Sequence, residues 1–532
     1  MQDNCFGVWK MNEEILKIIR EKGLLLEKEV FDLVSGISDV KGARDFLERV
    51  ERFTGQKIIT RAILGNNSEL LEKTTGLLGE GKSVEILIKL GLRVEIKKER
   101  PAEGPVMKLA EECGVKYQVF YADTKPDKKL EVGDFVGNFK ARYHQLQRIL
   151  MQRSDLPNLL TINKISKDRQ QLSIIGMVKE KRVTKNKNLI LTLEDFTGEI
   201  NILVKGDREE VFAAAQELQL DDVIAAKGSG NRDIMFTSNI YFPDAFVHEK
   251  ARLDKDVCVA FISDIHCGSD RHLKKSMEKF LAWINSEDET ARKISFIFFV
   301  GDNVDGVGIF PGQEKVLELK SMKEQYKLLA SYLRRVPKRI TMFMCPGQHD
   351  ASRVAEPQPI IDRNYAPEIY ELENLVLVTN PSLIKLSDGQ KDFKILMYHG
   401  ASIHTFINEI PELREMKAHK TPAKAVKHML KRRHLSPTHS SAIYIPNSEK
   451  DPLVIQEVPD VLCTGEVHRL DIENYNGILI ITGSCWQAQT PFEEKVGNIP
   501  NPGKLPVLNL KTRELKIYDF LDEEEVNKEY GK

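Results

Sequence analysis

Apolar positions in residues 11–75 recur at helical spacing. Ile15, Leu16, Ile18 and Ile19 follow Asn12, which can cap a helix, and Gly23 can end it. A second run, Val30, Phe31, Leu33 and Val34, stops at Ser35-Gly36. The pattern predicts a helical interaction module over 1–75. Residues 76–132 hold only short apolar segments between Lys-rich pieces, IKKERPAEGP and DTKPDKKLEVGD, and predict a partly ordered linker. From Gly133 the helical period returns, with Val136, Phe139, Tyr143, Leu146 and Leu150 on one stripe that predicts packing on a neighbour.

Over 171–242 the period changes to that of strands. LSIIGMVKEKRVTKNKNLILTLEDFTGEINILV gives three β-rich runs, split by a charged hairpin and by Asp195…Gly198. A short helix near 209–218 and two further strand-like runs complete the pattern of a small Greek-key barrel of the oligonucleotide-binding type. Helix and barrel together predict a domain over 133–250. The hairpin KEKRVTKNK, with five basic residues and one acid, is either a phosphate contact or a solvated turn. From about Asp256 strands and helices alternate: strand 257–262, helix 272–285, strand 294–300, helix 314–335, strand 339–344, then FKILMYH, DVLCTG and GILIITGSC. That is the layered pattern of a hydrolase domain over 251–532.

Composition narrows this little. At 532 residues the chain exceeds one ordinary core, and a formal net charge of −1 gives no global attraction to nucleic acid, so any such binding must use local patches. Seven scattered cysteines with no C-x-x-C pair point to a reducing compartment and away from a disulfide framework or a zinc ribbon. No apolar run approaches membrane-spanning length, so the expected location is the cytoplasm, with no membrane partner.

The chemistry lies at the strand ends of the last domain. VAFISDIHCGSD ends an apolar run on Asp264 and His266, one residue apart and hence on one face of an extended chain. Alone, the pair reads equally well as a capping acid beside a surface histidine. But FIFFVGDNVDG delivers Asp302, ITMFMCPGQHD delivers Gln348, His349 and Asp350, KILMYHG delivers His399, and PDVLCTGEVHR delivers Glu466 and His468. Five apolar strands each ending on an acid, amide or imidazole point to a catalytic dinuclear centre of hard or borderline divalent ions. The stretch 414–433, with eight Lys or Arg against one acid, is either a solvated face or a strand-guiding surface.

In order, D-x-H, GD-x-x-D, G-[N/Q]-H-D, H-G and G-x-x-H resemble the five motifs of the calcineurin-like metallophosphoesterases. Within that superfamily, PGQHDASRVAEPQP, KRRHLSPTHSS, VIQEVPDVLCTGEVH and LIITGSCWQAQTPFEEKVGNIPNPGKLPVLNL look like the small, exonuclease subunit of the archaeal family D DNA polymerase. The likeness covers nearly the whole chain and is strongest from 255 to 518. It implies a multidomain α+β protein whose last domain is a four-layer αββα phosphoesterase acting as a 3′→5′ exonuclease. It also implies two divalent ions, Mn²⁺ or Mg²⁺. Asp264, His266 and His468, with Asp302 bridging, match one metal position; Asp302, His399, Gln348 and Glu466 match the other. His349 would act on the leaving oxygen, oriented by Asp350, with Asp305 and Arg353 as contacts behind the ligands or to phosphate. Two positions depart from the family pattern: Gln348 stands where Asn is usual, and Glu466 where His is usual. The implied partners are a large catalytic subunit, single-stranded or primer-template DNA and, as a further candidate, a sliding clamp. A non-catalytic scaffold and a free-standing metallophosphoesterase are the competing readings.

Overall fold

The computed structural model describes residues 14–35, six positions between 43 and 51, and residues 57–59, 108–109, 113–125 and 129–530. Two compact units separate at Gly104/Pro105. In the first, a helix over 14–22 ends at Gly23, where Leu24 N donates to Ile19 O. Helix Lys28–Ser35 follows, and Leu25–Leu26 pairs in parallel with Ile58–Ile59. Ile15, Ile18, Val30 and Val34 are buried, as their spacing predicts. Asn12 lies outside the described residues, as do residues 60–107.

In the second unit, five strands close a barrel in the order Gln170–Val183, Leu189–Asp195, Gly198–Val204, Ile234–Tyr241 and Val223–Gly230. Helix Glu209–Glu217 intervenes. Alternate residues of these strands, among them Leu191, Leu193, Ile200, Ile202 and Met235, fill the interior.

The remainder is built on two sheets. One has the spatial order Leu375–Leu377, Thr341–Cys345, Ile294–Val300, Cys258–Ile262, Lys504–Asn509, Leu515–Asp519. The other includes Ile478–Thr482, Val461–Thr464, Asp392–Met397 and Ser382–Ser387. Phe261, Phe298 and Phe343 from the first sheet and Ile384, Phe393 and Ile395 from the second share one core. Helices Lys274–Ile284 and Met322–Leu333 cover the first sheet's other face. Ile403–Glu409 and Ala423–Arg432 cover the second's.

Two expectations are corrected here. Part of the expected linker belongs to the second sheet: Lys116–Tyr121 pairs antiparallel with Ser382–Ser387, and Lys108–Leu109 pairs with it in turn. The ladder partner lies more than 260 residues away in sequence, and burial of Tyr117 and Val119 in the shared core holds the strand. The helix expected over 314–335 begins at Met322. The preceding residues are pulled into a loop, because Gln313 Nε2 donates to Asp305 and Glu318 N donates to Gly268 O.

Helix Val132–Leu150 buries Tyr143, Leu146 and Leu150 against the barrel residues Ile175, Met177 and Val223. Its second stripe, Asn138, Arg142 and Gln145, is polar and equally buried. Asp451 receives Arg142 Nε at 2.8 Å, His434 Nε2 at 3.0 Å and Asn138 Nδ2 at 3.1 Å, and its backbone pairs reciprocally with the Gln145 amide. Burial would raise the Asp451 carboxyl, but Arg142 and His434 reverse this and hold it below the ordinary carboxylate range. A lowered folded-state value means that the stabilisation is complete at neutral pH and is lost only on acidification. Asp451→Ala strands a buried guanidinium and should cost about 3–5 kcal/mol in denaturant unfolding.

Candidate metal centre

The parallel strands of both sheets deliver their carboxyl ends to one edge, where open α/β sheets place ligands. Backbone bonds then lock the turns to one another. Asp264 N donates to Gly301 O, His266 N to Asp302 O, Gly465 N to His399 O, and Trp486 N to Asp264 O. Of thirteen non-glycine residues with positive φ among those described, five are Asp264, His266, Asp302, Glu466 and His468, at +47° to +73°. Backbone held in this costly region marks a site where the side chain's aim outweighs local comfort. Close approach sets two glycines: a Cβ on Gly347 would lie 2.2 Å from Asp302 Oδ1, and one on Gly465 2.5 Å from Asp264 Oδ2.

The structure brings together all seven side chains expected as metal ligands. His468 Nε2 is 3.1 Å from His266 Nε2 and 3.6 Å from Asp264 Oδ1. His399 Nε2 is 3.2 Å from Asp302 Oδ2, 3.4 Å from Glu466 Oε2 and 4.0 Å from Asp264 Oδ1. Gln348 Nε2 donates to Glu466 Oε2 at 2.7 Å. Three overlapping triads, Asp264–His266–His468, Asp264–Asp302–His399 and His266–Asp302–His349, each hold their donor atoms within 4.8 Å of one another. Asp264 and Asp302 each belong to two of the triads, and geometry alone admits His349 as a ligand too.

These donors fit divalent cations. Asp264 Oδ2, Gln348 Oε1 and His399 Nε2 are buried without a hydrogen-bond partner, a costly state that a bound ion relieves. His399 Nδ1 donates to Val300 O at 2.8 Å and His266 Nδ1 to Asp305 Oδ1 at 3.0 Å, which turns both Nε2 atoms inward. The field has the matching sign. Burial would raise Asp302, yet the His399 and His349 rings hold it well below its ordinary value. Burial would lower His399, yet Asp302 and Asp264 hold its proton well above the usual imidazole range. Carboxylates that draw protons so strongly onto their neighbours draw cations by the same field.

Behind the ligands the structure redistributes the expected roles. Asp305 is buried and holds His266, while Gln313 and Gln487 donate to its carboxylate, so it is a support and not a phosphate contact. Asp350 does not orient His349. It accepts from Gly347 N, Asn303 N, Asn303 Nδ2 and Tyr326 OH, clamping two ligand turns together. The His349 ring is held instead through Nδ1, which donates to Asp305 O at 2.6 Å. Arg353 donates to the carbonyls of Ala355, Lys125 and Pro357, which gives it a structural role. The basic run 414–433 is not solvated throughout. Arg432 is buried against Asp222, Lys431 pairs with Glu217, and Arg433 donates to Ile455 O and Gln456 O, so its end joins the barrel to the second sheet's helices.

Two residues went unrecognised in the sequence. Glu493 Oε1 lies 3.0 Å from His468 Nδ1, while its Oε2 accepts from Thr490 N. The T-P-x-E spelling of that capping box was the available signal. His404 Nε2 lies 3.6 Å from Glu466 Oε1, on the helix that follows the H-G motif.

The family of the DNA polymerase alpha/epsilon B-subunits matches residues 259–470, and the OB-fold nucleic acid binding domain matches residues 172–234. The DNA polymerase II small subunit of Methanothermobacter thermautotrophicus is 32% identical over 517 residues, spanning 96% of this chain and 100% of that protein. That of Pyrococcus furiosus is 35% identical over 435 residues, 78% of this chain and 69% of its own length. That of Archaeoglobus fulgidus is 35% identical over 416 residues, 77% of this chain and 81% of its own. The chain belongs to the family of archaeal DNA polymerase II small subunits.

Proposed function

We propose that this chain is the 3′→5′ exonuclease of a two-subunit replicative DNA polymerase. It would remove nucleotides from single-stranded or frayed primer ends while a large subunit carries synthesis. The fold would then be that of the calcineurin-like phosphoesterases. The observation that carries this reading is the convergence of the three triads at one sheet edge, with buried donor atoms left without hydrogen-bond partners among them.

Asp264, His266, His468 and Asp302 would hold one divalent ion, and Asp302, His399, Gln348 and Glu466 a second. When bound, such ions supply a water of lowered pKa and counter-charge for the phosphodiester. The chain's own residues do the rest. Asp302 ties the two ligand groups together. His349, its ring fixed by the Asp305 carbonyl, presents Nε2 3.9 Å from Asp302 Oδ2 and is placed to give a proton to the leaving 3′-oxygen. Oxygen-rich ligation at Gln348 and Glu466 favours Mn²⁺ or Mg²⁺ over softer ions.

The bond between Gln348 and Glu466 gives a second reading its one support. Two candidate ligands bonded to each other could leave a weak second position and a scaffold subunit. The orientation argues otherwise, because with Nε2 spent on Glu466 the amide presents its unpartnered Oε1 as a donor. The test is a Mn²⁺-supplemented assay on 5′-labelled single-stranded DNA, read with metal stoichiometry. Glu466→Ala should lose second-site occupancy and activity together, whereas Glu466→His should keep or raise activity in Mn²⁺. If Glu466→Ala matches the wild type in both, Glu466 is not a ligand and the scaffold reading takes precedence.

A further inference from the structure

The barrel carries a cleft of about 440 Å³ that none of the expected chemistry uses, within the roughly 300–1,000 Å³ of ordinary ligand sites. It opens where the ends of strands Gly198–Val204 and Val223–Gly230 meet the starts of Gln170–Val183 and Ile234–Tyr241. Arg169, Lys205 and Arg208 line it, together with Gln171, Ser229 and Phe236, and no acidic residue does.

Strand alternation sends Met235 into the barrel core and Phe236 outward, where it stays 38% exposed. The Arg169 guanidinium lies 5.3 Å over the Phe236 ring and is anchored by Nε donating to Ser229 Oγ at 3.0 Å. The side chains of Lys205 and Arg208 have no ion pair or hydrogen bond among the described residues. The charged hairpin is mixed: among the described residues the side chains of Arg182, Lys185 and Lys187 have no ion pair or hydrogen bond either. Its Lys179 pairs with Glu199 and Glu194, and its Lys181 donates to Gln216 O and Leu218 O. What sets the cleft apart is the exposed Phe236 ring among its cations.

We propose that this cleft is a contact site for single-stranded nucleic acid, with one base stacked on Phe236 beside Arg169 and the flanking phosphates on Lys205 and Arg208. An aromatic platform rimmed by cations is the sequence-tolerant combination that single strands require. A flat base and two anionic phosphates match the cleft in shape and sign. The site stands apart from the question of nuclease chemistry, since it needs no metal.

The test uses the full chain, fluorescein-labelled oligo(dT) and EDTA, read by anisotropy across a salt series. Phe236→Ala should weaken binding roughly 5- to 150-fold, the worth of one stacked base. Phe236→Tyr should retain it. Lys205→Ala/Arg208→Ala, both at exposed positions, should lower the salt slope by about 1.4, twice the value per phosphate for single strands. Lys185→Ala/Lys187→Ala on the hairpin should leave the loss at Phe236 as large as before. The proposal is overturned if Phe236→Ala and Lys205→Ala/Arg208→Ala bind as the wild type. It is equally overturned if those variants lose only association with the large subunit, which would make the cleft a protein contact. Loss of cleavage in Asp302→Asn with oligonucleotide binding intact bears on the metal centre alone.

Discussion

Asp302→Asn should abolish Mn²⁺-dependent cleavage of single-stranded DNA while leaving the unfolding transition nearly in place. Asp302, like Asp264, belongs to two of the three triads, and its Oδ2 lies within 4.0 Å of the imidazoles of His266, His349 and His399. Asparagine keeps the shape and can still accept from His349 N, which reaches Oδ1 at 2.9 Å. What it removes is the charge that serves both ligand groups. Loss of a residue merely behind a ligand typically costs about 10–100-fold, so loss of the shared ligand should exceed this range. Metal analysis should show both positions depleted. His468→Ala should produce the same loss through one position only. Parallel loss of folding and activity in both variants would make these residues structural.

The strand ends were legible in the sequence because packing alone seldom calls for a carboxylate or imidazole at the close of an apolar run, and five runs close that way. Asp264, His266, Asp302, His399, Glu466 and His468 are all found where that reasoning put them. It failed where neighbours in sequence point in different directions. Gln348, His349 and Asp350 are consecutive, yet one faces Glu466, one faces Asp302 and the third turns back onto Gly347 and Asn303. Turn geometry decides that, and residue type does not. It failed again where the partner is remote. Asn138, Arg142 and Gln145 look like a solvated helix face until Asp451, more than 300 residues on, meets them. Lys116–Tyr121 alternates as a half-buried strand should, but nothing local reveals Ser382–Ser387 as its neighbour. The end of the basic run 414–433 was hidden for a related reason: composition counts charges, whereas Arg432 and Arg433 spend theirs inside the protein.

His349 offers the sharpest separation of chemistry from metal binding, because its placement admits both. Its Nε2 faces Asp302, and it completes a triad with His266. As a proton donor to the leaving oxygen it contributes to the transition state only, so His349→Ala should lower turnover by roughly 10²–10⁴-fold with little change in substrate affinity or metal content. The pH profile gives the second readout. Burial would lower the ring's proton affinity, but Asp302 and the Asp305 carbonyl more than offset it and hold the value above that of a free imidazole. A donor must be protonated to act, so activity should fall as pH rises through that raised value. That alkaline fall should be missing from the residual activity of His349→Ala. Depletion of one metal in His349→Ala, with the alkaline fall retained, would instead assign His349 to the metal and leave proton transfer to solvent.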